Sequence, residues 1–226
     1  MVDLEQKLKP ELLAVLQKLS GFAGEQNQEL YIVGGFVRDL LLDLEPGDLD
    51  LVLVGDAIKF ARGLLSHCEQ SEAISILEEH PQFRTVKLQI NDTKLEIASA
   101  RSETYAEPAA FPKVKLVNDI SVDLPRRDFT INALLISLNQ SSFGELVDFV
   151  GAQQDLEQKQ IKVFHDKSFI DDPTRILRAQ RFAAKYGFEI ETHTQELINQ
   201  AESHPDFGHW QKKLKNRIKT ETEKLG

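Results

Sequence analysis

Two carboxylates, Asp48 and Asp50, stand two residues apart in an otherwise apolar run that closes the stretch YIVGGFVRDLLLDLEPGDLDLVLVG, residues 31–55. If that run is a strand, both side chains project from one face and lie close together. Like charges at short range repel, and one pKa rises unless a cation sits between them. Ahead of the pair, Gly34 and Gly35 follow a strand-like run and open a short helix. Such a turn lets backbone N–H groups approach a phosphate, and the helix N-terminus adds a favourable dipole. Arg38, one turn further on, is placed to reach the same anion. A phosphate cradle beside oxygen ligands for a hard cation points to Mg²⁺, held by Asp48 and Asp50, and to a nucleoside triphosphate. A plainer reading stays open, in which Asp48 caps the turn after Pro46-Gly47 and Asp50 is simply exposed.

A second constellation lies in DDPTRILRAQRFAAKYGFEIE, residues 171–191. Asp172, Arg175, Arg178 and Arg181 recur every third residue, so on a helix they form a slowly drifting row. Ile176, Ala179, Phe182, Ala183 and Tyr186 would then face the core. Asp171 or Asp172 would cap the helix, with Pro173 in its first turn. The plainer alternative is an exposed charged face with an Asp172–Arg175 ion pair.

The elements that must carry these residues follow from periodicity. Leu12, Leu13, Leu16 and Leu19 give residues 9–20 helical spacing. A strand is predicted at Leu30–Val33, a helix at Phe36–Leu42, a strand at Leu49–Val54 and a helix over 56–66. Val86–Ile90 and Leu95–Ala98 read as a strand pair turning at Asn91-Asp92. Glu103–Asn118, with Pro108 and Pro112, reads as a loop. Ile131–Leu138 runs into a strand, and Leu146–Val150 forms another. Beyond residue 150 helical patterns dominate, and strand signals fade after Ile161–Phe164. The division is thus an α+β domain over 1–150, including the N-terminal helix, and a helical domain over 151–226.

The 226-residue chain has room for one large core or two small ones. No apolar run approaches the roughly 20 residues of a membrane span, and MVDLEQKLKPELLAVLQKL reads as an amphipathic helix rather than a signal peptide. The single cysteine, Cys68, excludes an intramolecular disulfide and a cysteine-rich zinc site and reads as packing; a cytoplasmic location is the simplest fit. With a formal net charge of −9, the whole molecule is no basic nucleic-acid binder, so RNA contact needs a local basic patch. QKKLKNRIK, residues 211–219, offers five basic residues and no acidic one. It suits either RNA phosphates or a solvated helix face. Trp210 beside it suits base stacking or packing.

The motif Val33-Gly34-Gly35 followed by Asp48-Leu49-Asp50-Leu51 resembles the signature of the polymerase-beta-like nucleotidyltransferase superfamily. With LEIASARSETY (95–105), PRRDFTINAL (125–134) and the 171–191 stretch, all in family order, the protein resembles the class II tRNA nucleotidyltransferases and the related bacterial poly(A) polymerases over most of residues 30–191. The fold implied is α+β: a polymerase-beta-like head with a mixed or antiparallel sheet and flanking helices, followed by an all-helical neck. These enzymes add C, C and A to tRNA 3′ ends, or only CC or only A, without a nucleic-acid template. The resemblance implies the tRNA 3′ end, CTP and ATP as partners and Glu96 as a third catalytic carboxylate, whose plainer reading is a solvated strand residue. It also implies Arg127 as a nucleotide contact, Arg178 and Arg181 as contacts to the triphosphate or as shaping the nucleotide pocket, and residues 103–124 as the region governing the switch from C to A. For Arg126, Arg127 and Asp128 an ion-pair cluster at a strand edge remains the alternative, and for Asn132 a side-chain cap.

Base chemistry suits the implied Asp172–Arg175 template. Cytosine and adenine each present an amine donor beside a ring-nitrogen acceptor, whereas uracil and guanine present the reverse. A carboxylate beside a guanidinium supplies the matching acceptor and donor. Each buried mismatch costs about 1–3 kcal/mol. The mechanism implied is two-metal nucleotidyl transfer, with positioning and electrostatics supplying most of the acceleration.

Two residues depart from the family pattern. Asp171-Asp172 replaces the usual Glu-Asp, and Asp43 stands where a glycine usually ends the Gly-Gly helix. The helical body and tail domains of family members are expected to have no counterpart in the sequence, whose last residues are the neck-like NRIKTETEKLG. The other readings are an A-adding, CC-adding or poly(A)-adding relative, a non-catalytic nucleotide- or RNA-binding module, and nucleotidyl transfer to a small molecule.

Overall fold

The computed structural model describes residues 2–67 and 73–223, so Cys68 lies outside the described residues. The protein divides into two compact units, one of residues 1–102, 114–124 and 132–149, the other of 103–113, 125–131 and 150–226. Two short segments inside the first stretch of sequence therefore belong with the second unit.

The first unit opens with α1 (Leu4–Lys7) and α2 (Pro10–Glu25), then β1 (Leu30–Val33), α3 (Gly35–Leu41), β2 (Leu49–Leu53) and α4 (Ala57–His67). It continues with β3 (Ile74–His80), β4 (Thr85–Ile90) and β5 (Thr93–Ser99). The ribbon of β6 (Arg101–Thr104) and β7 (Lys113–Leu116) follows, then β8 (Leu135–Ser137) and β9 (Leu146–Val147). Seven strands form one sheet in the order β3-β4-β5-β2-β1-β8-β9, with β2 and β5 parallel and the other pairs antiparallel. This mixed sheet with flanking helices is the α+β head expected.

The register is dictated by alternation. Val86, Ile97, Leu51, Ile32 and Ile136 stand side by side across the sheet and are all at most 1% exposed. The next row, one residue along, runs Glu78, Lys87, Glu96, Asp50 and Val33. One row builds the core and the other carries charge, because successive side chains alternate faces. Where Glu103–Asn118 was expected as loop, β6 and β7 form a two-stranded ribbon. Polar, half-exposed strands give no apolar run to detect. β3 escaped detection for the same reason: Glu78, Glu79 and His80 populate an edge strand that needs one buried face at most.

Asp43 has φ 55°, so it takes the left-handed conformation expected of the missing glycine. Its carboxylate pairs with the Lys7 ammonium, which also donates to the Leu40 carbonyl at 3.2 Å. That closes the helix end without a glycine.

The second unit holds α5 (Ala152–Glu157), β10 (Gln160–Ile161), α6 (Ser168–Asp171), α7 (Thr174–Tyr186), β11 (Glu189–Ile190), α8 (Thr192–Glu202), α9 (Phe207–Lys213) and α10 (Lys215–Glu223). Ile176, Ala179 and Phe182 of α7 are buried as the periodicity predicts, and Phe182 meets Phe129 edge-on at 5.9 Å. Trp210 is packing: it is 4% exposed, with Ala109 and Leu214 in one apolar cluster. No helix among the described residues is long and apolar enough to cross a membrane.

Leu51→Ala should cost about 2–5 kcal/mol in urea unfolding. Asp48→Ala, on the exposed side three residues earlier, should change stability by no more than about 0.5 kcal/mol.

Candidate active site

Asp48 precedes β2, Asp50 lies within it, and Glu96 sits on β5 as the direct register partner of Asp50. All three line one cavity of about 270 Å³, with Lys87 and Lys94 on its walls. No hydrogen bond ties Asp48 or Glu96 to a partner among the described residues, so Asp48 is not capping the turn before it. The Lys87 ammonium donates to Glu78 at 3.0 Å. That bond, with added attraction from Glu96 and Asp48, holds its pKa above the ordinary lysine value. Sequence reasoning missed Lys87. The hairpin turn at Asn91-Asp92 would have placed it, since counting back pair by pair sets Lys87 opposite Glu96.

Among the described residues no three carboxylate, histidine or cysteine side chains converge into a ready metal cage. The donors are instead an open row of carboxylate oxygens. Mg²⁺ binds through one or two carboxylates plus waters and substrate phosphates, so this donor set fits an ion shared with a triphosphate.

The Gly-Gly turn adjoins this row. Gly34 has φ 77° and ψ −143°, a conformation open to glycine, and a β-carbon there would lie 3.7 Å from Asp50 Oδ2. A β-carbon on Gly35 would come within 3.2 Å of an Arg38 guanidinium nitrogen. Arg38 follows on α3. It is 4% exposed and turned inward, donating Nε to Asp39 at 2.8 Å and Nη1 to Asn132 at 2.6 Å. Burying an arginine requires a paired, hydrogen-bonded charge, and Asp39, its sequence neighbour, supplies it. Arg38 is thereby held beside the Gly34-Gly35 turn, and Asn132 is an acceptor that orients it.

In the second unit Asp172 lies just before α7 and is buried. Its Oδ1 accepts from the Thr174 amide at 3.1 Å and hydroxyl at 2.6 Å, which makes it the helix cap expected. Its Oδ2 accepts from Arg217, which sequence reasoning had grouped with a basic face for RNA. Arg175 is 4% exposed and donates to Ser168 Oγ at 2.6 Å and to the Arg126 carbonyl at 2.7 Å. The plainer alternative, an exposed Asp172–Arg175 ion pair, does not form: both side chains are buried, each with its own partners. Both charges act on the Tyr105 phenol, whose pKa is raised chiefly by burial.

Arg178 and Arg181 are engaged too. Arg178 donates Nε to Asp128 at 2.8 Å, and Asp128 above all holds its pKa up. Glu221 bridges Arg178 at 3.3 Å and Arg181 at 3.1 Å, tying α10 to α7. These bonds set both arginines in an ion-pair cluster inside the helical unit. Arg127 is half-buried in the segment that joins this unit.

A mixed sheet bearing a carboxylate row beside a glycine turn defines a nucleotidyltransferase-type head. Residues 30–162 match the family described as Poly A polymerase head domain, which is more than half of the chain. The chain belongs to this family. It is 46% identical over 171 residues to the A-adding tRNA nucleotidyltransferase of Aquifex aeolicus, covering 76% of this chain and 20% of that protein. It is 37% identical over 186 residues to the CC-adding tRNA nucleotidyltransferase of Deinococcus radiodurans, covering 79% and 46%. A solved structure of CCA-adding enzyme in an apo form superposes with TM-score 0.81 at 39% identity, covering 98% of this chain and 50% of that one. The chain thus spans half or less of the length of these relatives.

Asp39→Ala should cost about 3–5 kcal/mol by urea unfolding, because it breaks a buried ion pair from one side. Asn132→Ala should cost about 1–3 kcal/mol, the penalty of one lost acceptor.

Proposed function

We propose that this chain is the nucleotide-transferring portion of a tRNA nucleotidyltransferase that adds C and A residues to the tRNA 3′ end from CTP and ATP, using Mg²⁺. The observation that carries this reading is the carboxylate row of Asp48, Asp50 and Glu96 beside the Gly34-Gly35 turn. The 3′-oxygen of the RNA attacks the α-phosphorus of the incoming nucleotide. The bond from that phosphorus to the bridging oxygen breaks, pyrophosphate leaves, and the hydroxyl proton passes to a carboxylate or to water. A divalent ion bound by Asp48 and Asp50, with Glu96, would lower the pKa of the 3′-hydroxyl and offset charge on the leaving group.

The protein's own groups supply the positioning. The backbone N–H groups of the Gly-Gly turn hold the triphosphate. Arg38 and Asn132 keep the turn rigid. Arg127 contacts the nucleotide. Asp172 and Arg175 select C and A by offering an acceptor and a donor, held in place by Thr174, Arg217 and Ser168. Tight second partners restrict both side chains to one rotamer, which is what discrimination by hydrogen bonding requires. The cytoplasm, where tRNA is processed, is the compartment this reading implies.

Addition of A alone is the second reading, favoured by the 46% identity to an A-adding relative. Extension assays separate the two. With Mg²⁺, CTP and ATP, a tRNA transcript lacking CCA should gain all three nucleotides and stop. Extension of only the CC-ended transcript, with ATP, would establish addition of A alone. Asp48→Ala combined with Asp50→Ala should lower the rate by more than about 10³-fold, and chelation of the metal should abolish it. Failure of the wild type to extend any transcript would overturn both readings.

A further inference from the structure

The charged row across the sheet, Glu78, Lys87, Glu96 and Asp50, holds one cation, and the proposed chemistry leaves it without a task. Lys87 on β4 stands between Glu78 on β3 and Glu96 on β5. Opposed β-carbons on such antiparallel strands lie about 4.5–5.5 Å apart, so its ammonium can turn to either side. It turns away from the active site and donates to Glu78 Oε2 at 3.0 Å. The other oxygen, Glu78 Oε1, lies 3.2 Å from His80 Nε2, so this glutamate is held from two sides. Lys87 still feels the row: its pKa is raised chiefly by Glu78, with lesser attraction from Glu96 and Asp48.

The strand register shows that this pairing is built into the fold. Ile76 pairs with Leu88, so a regular β3 would set Leu77 against Lys87. A bulge between Ile76 and Glu78 makes Leu77 an extra residue and brings Glu78 opposite Lys87 instead. Bulges interrupt the ladder and are over-represented beside active sites, where they re-aim a side chain. Leu77, 50% exposed, lines the same cavity as Lys87, Asp48, Asp50 and Glu96. With leucine opposite Lys87, Glu96 would be the cross-strand acceptor left for the ammonium. An ammonium bonded there would occupy a carboxylate oxygen that a divalent ion needs and would repel that ion.

We infer that Lys87 is a positioning residue for the carboxylate row: a counter-ion shared by Glu78 and Glu96, which Glu78 draws off so that Asp48, Asp50 and Glu96 stay open to a divalent cation. The inference rests on the nucleotidyltransferase reading and on its metal ligands. It gives the two partners opposite effects, with Glu78 acting only through Lys87.

The test measures Mn²⁺ binding to the nucleotide-free protein, from the electron paramagnetic resonance signal of the free ion. The variants are Lys87→Met, Glu78→Gln and the two combined, and thermal melting checks that each folds. Lys87→Met should tighten Mn²⁺ binding about threefold, the size of a cross-strand charge contact. Glu78→Gln should weaken it about threefold, because the ammonium then turns to Glu96. On the Lys87→Met background, Glu78→Gln should have no further effect. Unchanged Mn²⁺ affinity in Lys87→Met would overturn the inference. So would an equal effect of Glu78→Gln with and without Lys87, since Glu78 would then act as a remote charge. Mn²⁺ binding that survives Asp48→Ala with Asp50→Ala would overturn the metal reading, and the metal-free protein then decides the role of Lys87. There Lys87→Met should lower the urea midpoint, and by less when Glu96→Gln accompanies it. An equal drop on both backgrounds would show that Lys87 serves Glu78 alone and would overturn its sharing with the row.

Discussion

The register of β2 between β1 and β5 is the constraint on which the site depends. Leu49, Leu51 and Leu53 must face the core, and their burial leaves Asp48 and Asp50 no other side to occupy. The parallel pairing with β5 then fixes which residue lies next to Asp50, and it is Glu96. A slip of one residue would bury the carboxylates and expose the leucines, exchanging every side chain between faces at once. The hydrophobic effect therefore aligns the carboxylates, although none of its energy comes from them.

The arginines show a different economy. Among those that motif spacing marks for phosphate, Arg38, Arg178 and Arg181 are tied to Asp39, Asp128 and Glu221. The last two join elements distant in sequence: Arg178 and Arg181 hold α10 against α7. A guanidinium can hold several acceptors in a fixed plane, so one residue can order a whole junction. Lys9 and Lys94, by contrast, are exposed and have no ion pair among the described residues. An arginine beneath a glycine turn contributes rigidity, which transition-state binding needs as much as it needs contact.

Much of the fold was legible because its signals are local. The β1–α3–β2 arrangement, the β4–β5 hairpin and the buried stripe of α7 all follow from periodicity and turn residues, and observed bounds differ from expected ones by a residue or so. The elements that escaped, β3 and the β6–β7 ribbon, are short, polar and half-exposed. Edge strands are held by backbone pairing with a neighbour, and a single sequence does not reveal that neighbour.

At the site the division is the same. The sequence by itself determined which residue types are present and which share a face: Asp48 with Asp50 by the period of a strand, and Gly34 before a helix by the need for a positive φ. Even the left-handed Asp43 was foreseeable from its place at a helix end. Only the tertiary structure decided partners. Arg175 bonds Ser168 and the Arg126 carbonyl instead of Asp172, which takes Arg217 from 45 residues away. Spacing along a helix says which side chains can meet, but a buried charge bonds whichever acceptor desolvates with it, and packing across the molecule chooses that acceptor.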